Sequence, residues 1–155
     1  MIEYPRYKKI LFCTDFSENA DYAFGFAYGI AKKEKGLLYI LHITPADPHK
    51  AFAESFMDGE DLEKVQKAIK DDLNKQFEEK YIKKIENSIA FNIVNRTGRE
   101  AEEIINFARE ENVDVIVMGT HGKTGIEHAF FGSIAEKVLR RSSFPVFIIP
   151  GKKKS

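Results

Sequence analysis

The chain has 155 residues, of which 43% are hydrophobic and 31% are charged, and its 24 lysines and arginines are balanced by 24 aspartates and glutamates. A chain of this length is expected to form one domain over residues 1–155 and to bury roughly two-thirds of its extended surface, so the fold needs no disulfide or structural metal. A duplex nucleic-acid binder would carry a basic surplus, and a membrane-spanning helix would need about 20 apolar residues, so the sequence argues against both kinds of partner.

The one cysteine, Cys13, lies in an apolar run and is expected to be a buried thiol in a reducing compartment. The first residues, MIEYPRYKK, contain no apolar core of the kind that signal peptides have. The expected location is therefore the cytoplasm.

Short apolar runs alternate along the chain with longer helical patterns. The second run, LLYILHI, lacks polar alternation, which is typical of a strand that is covered on both faces. The five predicted strands are Ile10 to Thr14, Leu37 to Ile43, Ile89 to Val94, Val113 to Met118, and Phe144 to Ile149.

The helical patterns between these runs place apolar residues three and four positions apart. Thr97 with Glu100 and Ser133 with Glu136 stand in the spacing of capping boxes at the starts of the last two helices, and Leu139 falls on the predicted inner face of the final helix. Residues 46–58 are predicted to be a loop, and residues 151–155 a solvated tail. The alternation predicts an α/β fold with a parallel sheet and helices on both faces.

In such a sheet, a ligand binds beyond the carboxyl ends of the strands, where the strand order reverses. Thr14 and Asp15 follow the first strand, Ile43 ends the second, and a glycine-containing segment from Gly119 follows the fourth. Glycines and a helix N-terminus suit a phosphate because backbone N–H groups approach the anion closely. The alternative is that these glycines form an ordinary turn and that Ser133 only caps the helix.

Two nucleotide-binding motifs are absent. The first glycine of a P-loop ending in Gly122, Lys123 and Thr124 would fall at Val117, and the dinucleotide pattern GxGxxG does not occur after Gly119. The chain is therefore neither a P-loop NTPase nor a standard dinucleotide-binding protein.

Gly119, Gly122, Gly132 and Ser133 have the spacing Gly, two residues, Gly, nine residues, Gly-Ser, and this pattern resembles the ATP-binding subgroup of the universal stress proteins. The blocks KKILFCTDFSENA, LLYILHI, DVIVMGTHGKTG and SSFPVFIIP are similar to family blocks in the same order, so the resemblance covers nearly the whole chain. It implies five parallel strands in the order 3-2-1-4-5, a Rossmann-like arrangement.

The resemblance also implies a site for ATP, with any Mg²⁺ or Mn²⁺ held by the phosphates. Asp15 and the backbone of Ile43 would contact ribose and adenine, Gly119 and Gly122 would lie along the ribose and α-phosphate, and Gly132, Ser133 and Ile134 would meet the phosphates. The remaining candidates for binding are neighbours of these positions: Thr14, Thr120, His121 and Lys123.

No catalytic residue is predicted, since the spacings support no Ser-His-Asp or paired-carboxylate arrangement. No protein-held metal site is predicted either, since the four histidines lack metal-binding spacing. The resemblance implies a homodimer through the apolar final strand, Phe144 to Ile149, and a protein partner of unknown identity. The leading expectation is a nucleotide-dependent sensor or regulator in the stress response with at most slow ATP hydrolysis. A true ATP-hydrolysing enzyme and an interaction or chaperone-like dimer with a vestigial site are the alternatives.

Overall fold

The computed structural model describes residues 1–121 and 131–153. The predicted binding residues Gly122 and Lys123 lie outside this part of the chain. The elements are β1 (Lys9–Thr14), α1 (Glu18–Glu34), β2 (Leu37–Pro45), α2 (Pro48–Glu54), α3 (Gly59–Lys80), a 3-10 turn (Ile82–Lys84), β3 (Phe91–Gly98), α4 (Glu100–Glu111), β4 (Val115–Gly119), α5 (Ser133–Arg141) and β5 (Val146–Ile149).

The five strands form a parallel sheet in the order β3-β2-β1-β4-β5, which confirms the predicted α/β fold and strand order. β1 lies at the centre and pairs with β2 on one side and β4 on the other. The order reverses between β1 and β4, so the carboxyl ends of these two strands flank the expected ligand crevice.

Hydrophobic cores lie on the two faces of the sheet. On one face, α1 and the end of α3 pack against β1 through Ala23, Phe24, Phe77 and Tyr81. On the other face, α4 and α5 pack through residues such as Ile104 and Val138. Alternate residues of β1 point into opposite cores, which explains why its sequence is apolar throughout.

Two helix starts differ from the prediction. Thr97 pairs with Thr44 inside β3, which extends to Gly98, and the cap position of α4 is Arg99 with no side-chain capping bond. Ser133 is the first residue of α5 instead of its cap. Leu139 is 47% exposed, because Ala135 and Val138 form the buried face of this short helix.

The strand bounds also shift. β3 begins at Phe91 instead of Ile89 and continues to Gly98, and β5 begins at Val146 instead of Phe144. The predicted 46–58 loop contains α2, whose cap residue Asp47 accepts a hydrogen bond from the backbone N–H of His49 (2.9 Å). Proline at the first helical position suits this start because its fixed φ is already helical.

The amino-terminal edge of the sheet is held by Asp114. One of its carboxylate oxygens, Oδ2, accepts hydrogen bonds from the backbone N–H groups of Lys8 (2.6 Å) and Lys9 (2.7 Å). The Lys9 ammonium donates to the carbonyl of Glu111 (2.8 Å). These contacts fix the start of β1 beside the start of β4.

Within residues 1–121 and 131–153, no helix has the length and apolar character needed to cross a bilayer.

Candidate functional site

A cleft of about 630 Å³ opens at the carboxyl ends of β1, β2 and β4. Leu41, Ile43, Ile104 and Met118 supply apolar wall, and Asp15 and Glu100 supply carboxylates. The first residues of α5 also line it. α4 and α5 pack side by side on one face of the sheet, and Glu100 and Ser133, the first residues of the two helices, both line the cleft.

The turn after β1 is fixed by its own side chains. The Thr14 hydroxyl accepts a hydrogen bond from the N–H of Phe16 (2.9 Å), and the Asp15 carboxylate accepts one from the N–H of Ser17 (3.0 Å). Phe16 has φ of 63°, a left-handed conformation that is uncommon for a bulky side chain. Its ring is buried against His42, Phe77 and Tyr81, and this packing holds the turn in place.

A buried hydrogen-bond chain runs behind this turn. Tyr81 donates its hydroxyl proton to the Asp21 carboxylate (2.8 Å), so the 2.5 Å contact with Thr14 has Thr14 as donor. Lys80 forms an ion pair with the other oxygen of Asp21 (2.7 Å). Burial raises the pKa of Tyr81, and Asp21 also favours its neutral form, so this hydroxyl stays protonated and remains a donor. The chain therefore links the end of α3 to the first residues of the cleft.

Asn19, on α1, holds the segment that follows β4. Its side-chain oxygen accepts hydrogen bonds from the N–H of His121 (2.9 Å) and the hydroxyl of Thr120 (3.2 Å), and its N–H₂ group donates to the carbonyl of Ile149 (3.2 Å). A Cβ on Gly119 would lie 2.8 Å from Asn19 Cγ and Oδ1. Glycine at position 119 therefore lets Asn19 approach the end of β4.

Close packing also explains why position 132 is a glycine. Its N–H donates to the carbonyl of Thr120 (2.6 Å), and a Cβ on this residue would lie 2.8 Å from the same oxygen. The contact brings the N-terminus of α5 against the end of β4, where Ser133 and Ile134 line the cleft. The first N–H groups of a helix have no intrahelical acceptor and carry partial positive charge, so this end of the cleft suits an anion.

The start of α4, which also lines the cleft, is acidic. Three glutamates lie in the first turn of α4, where Glu102 pairs with Arg99 (3.3 Å) and Glu103 with Arg96 (3.7 Å). Glu100 makes no hydrogen bond or ion pair with any residue in 1–121 or 131–153. Burial raises the pKa of the Glu100 carboxyl, and the negative charge of Asp15 adds to the effect.

Nine of the eleven predicted binding residues line this cleft: Thr14, Asp15, Ile43, Gly119, Thr120, His121, Gly132, Ser133 and Ile134. Gly122 and Lys123 lie outside the described residues. Sequence reasoning missed Glu100, which it treated only as part of a capping box, and Asn19, which gave no signal because its partners are about 100 residues away in the chain.

Cys13 also lines the cleft, but burial raises the pKa of its thiol. The neutral thiol is a poor nucleophile and a poor metal ligand, so Cys13 contributes apolar surface. No group of three or more His, Cys, Asp or Glu residues that could hold a metal ion occurs in the parts of the chain that the structure describes.

Comparison with known proteins identifies several relatives. The model of the universal stress protein family matches residues 6–150. The universal stress protein MJ0577 of Methanocaldococcus jannaschii is 31% identical over 156 residues, covering 94% of this chain and 96% of the relative. The solved structure of MJ0577 superposes with a TM-score of 0.75 at 29% identity, covering 97% of this chain and all of that chain.

A universal stress protein solved in complex with cAMP shares the fold, with a TM-score of 0.59 at 23% identity and coverage of 96% of this chain and 99% of that one.

Proposed function

The chain belongs to the universal stress protein family, and we propose that it binds an adenine nucleotide, ATP, in the cleft at the carboxyl ends of β1, β2 and β4. The observation that carries the proposal is the distribution of polar groups in this cleft. Helix N–H groups at α5 suit phosphates, carboxylates at Asp15 and Glu100 suit hydrogen-bond donors, and apolar wall from β2, α4 and β4 suits a base.

Each part of a nucleotide then has a matching group. Asp15 accepts a hydrogen bond from the ribose, and the backbone of Ile43 hydrogen-bonds the adenine edge. The backbone N–H groups of Ser133 and Ile134 and the Ser133 hydroxyl donate to the phosphates, and Gly132, whose own N–H donates to the Thr120 carbonyl, holds this helix start in place. A Mg²⁺ or Mn²⁺ ion would be carried on the phosphates, because Mg²⁺ retains water and needs few protein ligands.

Isothermal titration calorimetry of the full chain with ATP and Mg²⁺ tests this assignment. Asp15→Asn is a suitable probe because the amide oxygen still accepts the hydrogen bond from Ser17 and keeps the turn. We expect roughly tenfold weaker ATP binding from the loss of the charged acceptor. Ser133→Ala should weaken binding several-fold, and the matched control Ser143→Ala, in the connection between α5 and β5, should leave it unchanged.

Gly132 is a less informative probe, because any side chain there would meet the Thr120 carbonyl whether or not a ligand binds. A wild-type chain that does not bind ATP, or equal affinities for all these variants, would contradict the proposed function. In the first case the interaction-protein hypothesis gains support, since Phe52 and Phe56 on and beside α2 are 68% and 76% exposed.

We further propose that the protein acts as a cytoplasmic, nucleotide-dependent regulator in the stress response and forms a homodimer through the outer edge of β5. β5 pairs with β4 on one side only within the described sheet, and Val146, Phe147 and Ile148 remain partly exposed. An unpaired apolar strand favours addition of another strand. Native mass spectrometry should give twice the chain mass, and a monomer at micromolar concentration would exclude this arrangement.

A further inference from the structure

Resting on the proposed nucleotide function, we propose that Glu100 and Asp15 divide the two ribose hydroxyls between them, so that Glu100 determines specificity for a sugar with a vicinal diol. Each carboxylate accepts one O–H donor. No feature of the glycine pattern points to Glu100, and the assignment comes from its surroundings in the folded chain.

The three glutamates that begin α4 differ in their partners. Glu102 and Glu103 each have an arginine partner, whereas Glu100 has no cation within the described ranges and lines the cleft. A partly buried carboxylate without a donor is unfavourable in the free protein. A ligand that supplies a donor would relieve this cost on binding.

Glu100 shares the cleft with a second carboxylate, that of Asp15. The negative charge of Asp15 adds to the effect of burial in raising the pKa of the Glu100 carboxyl. Two carboxylates that line one cleft repel an anion and favour a neutral group with two donors. The ribose diol has this chemistry, whereas the phosphates are drawn to the N-terminus of α5, where Ser133 and Ile134 line the cleft.

The base would lie against a different part of the cleft, which is apolar. Leu41, Ile43, Ile104 and Met118 form its apolar wall, and the backbone of Ile43 lies one residue past His42, the last residue of β2 that pairs with β1. The base edge therefore has its own partners, and the carboxylates remain for the sugar.

The test compares the affinities of ATP, 2′-deoxy-ATP and 3′-deoxy-ATP for the wild-type chain, Glu100→Ala, Glu100→Gln and the control Glu102→Ala, measured by calorimetry with Mg²⁺. The three nucleotides carry the same charge. The ratio of two dissociation constants therefore cancels the general electrostatic effect of removing Glu100 and isolates the sugar contact. Circular dichroism verifies that each variant is folded.

The wild-type chain should bind the deoxy analogues about tenfold more weakly than ATP. In Glu100→Ala, the loss of affinity for one of the two deoxy analogues should fall below about twofold. Glu100→Gln should be intermediate because its amide oxygen still accepts a hydrogen bond, and Glu102→Ala should lose affinity for both analogues as the wild-type chain does. In Asp15→Asn, the loss of affinity for the other deoxy analogue should shrink.

Unchanged penalties in Glu100→Ala would overturn the inference. So would a wild-type chain that binds ATP without any deoxy penalty, or a Glu100→Ala variant that loses instead the discrimination of ATP from inosine triphosphate, because the carboxylate would then act on the base. A wild-type chain that binds no ATP would overturn the proposed function, and with it the sugar assignment.

Discussion

The hydroxyl group of Tyr81 should be important for both stability and the shape of the cleft. Its side chain is fully buried, donates to Asp21 and accepts from Thr14. Tyr81→Phe removes a hydrogen bond to a charged group, worth about 1.5–3 kcal/mol, and leaves the buried Thr14 hydroxyl without its acceptor. The expected loss in the free energy of unfolding is about 2–4 kcal/mol, since Asp21 retains Lys80 and limits the damage.

Urea unfolding followed by circular dichroism measures this change, and a thermal scan should show a decrease in Tm of roughly 5–15 °C. Tyr22→Phe is the matched control, because this ring is partly exposed and packs on Phe26, so its loss of a hydroxyl should change stability by less than about 0.5 kcal/mol. A double-mutant cycle with Thr14→Val should give a coupling energy of about 1 kcal/mol. A Tyr81→Phe chain as stable as the control would refute the hydrogen-bond assignment.

Three further predictions follow from other contacts. Cys13 should resist a thiol reagent such as 5,5′-dithiobis(2-nitrobenzoate) in the folded chain and react fully in urea, because burial raises the pKa of its thiol; rapid reaction in native buffer would show that it is accessible. Glu100→Gln should have a higher Tm than the wild-type chain when both are measured at neutral or higher pH. The folded-state pKa of Glu100 lies above its ordinary value, so stability falls as pH rises through that pKa, and the advantage of the variant should disappear below about pH 4.5. Asp114→Ala should lower unfolding stability by about 1–3 kcal/mol, because it removes the acceptor of the Lys8 and Lys9 N–H groups, and an unchanged urea midpoint would rule out this role.

Much of the fold was predictable because the strands are buried on both faces. Runs such as Leu37 to Ile43 are continuously apolar, and the helices between them carry clear apolar stripes, so element type and α/β class follow from local pattern. The strand order came from the family resemblance, because local pattern does not specify which strands are neighbours.

The errors arose where pairing or helix rotation decided the outcome. Thr97 has the spacing of a capping residue, but the ladder with β2 continues as far as Gly98 and draws Thr97 into the strand. Leu139 has the apolar character of a core residue. One position after buried Val138, however, it lies about 100° further around the helix and faces outward.

The candidate site was predictable in its strand ends and glycines but not in its supporting contacts. In the structure, a side chain at position 119 would collide with Asn19, and one at position 132 would collide with the Thr120 carbonyl. The spacing of the glycines does not reveal these contacts. Asn19 and Glu100 act through partners that are distant in sequence or come from another element. Such contacts depend on tertiary geometry, so local sequence patterns do not identify them.

The hydrogen bonds of Asp114 and Asn19 have a practical consequence for attaching the protein to a surface or a reporter. Asp114 holds the start of β1, and Asn19 holds the end of β5 at Ile149. Since all the strands are parallel, these two points lie at opposite ends of the strands. A tether joined before Lys8 leaves the cleft open to solvent. One joined after Ile149 emerges beside Thr120 and the N-terminus of α5, where it would crowd the proposed nucleotide site.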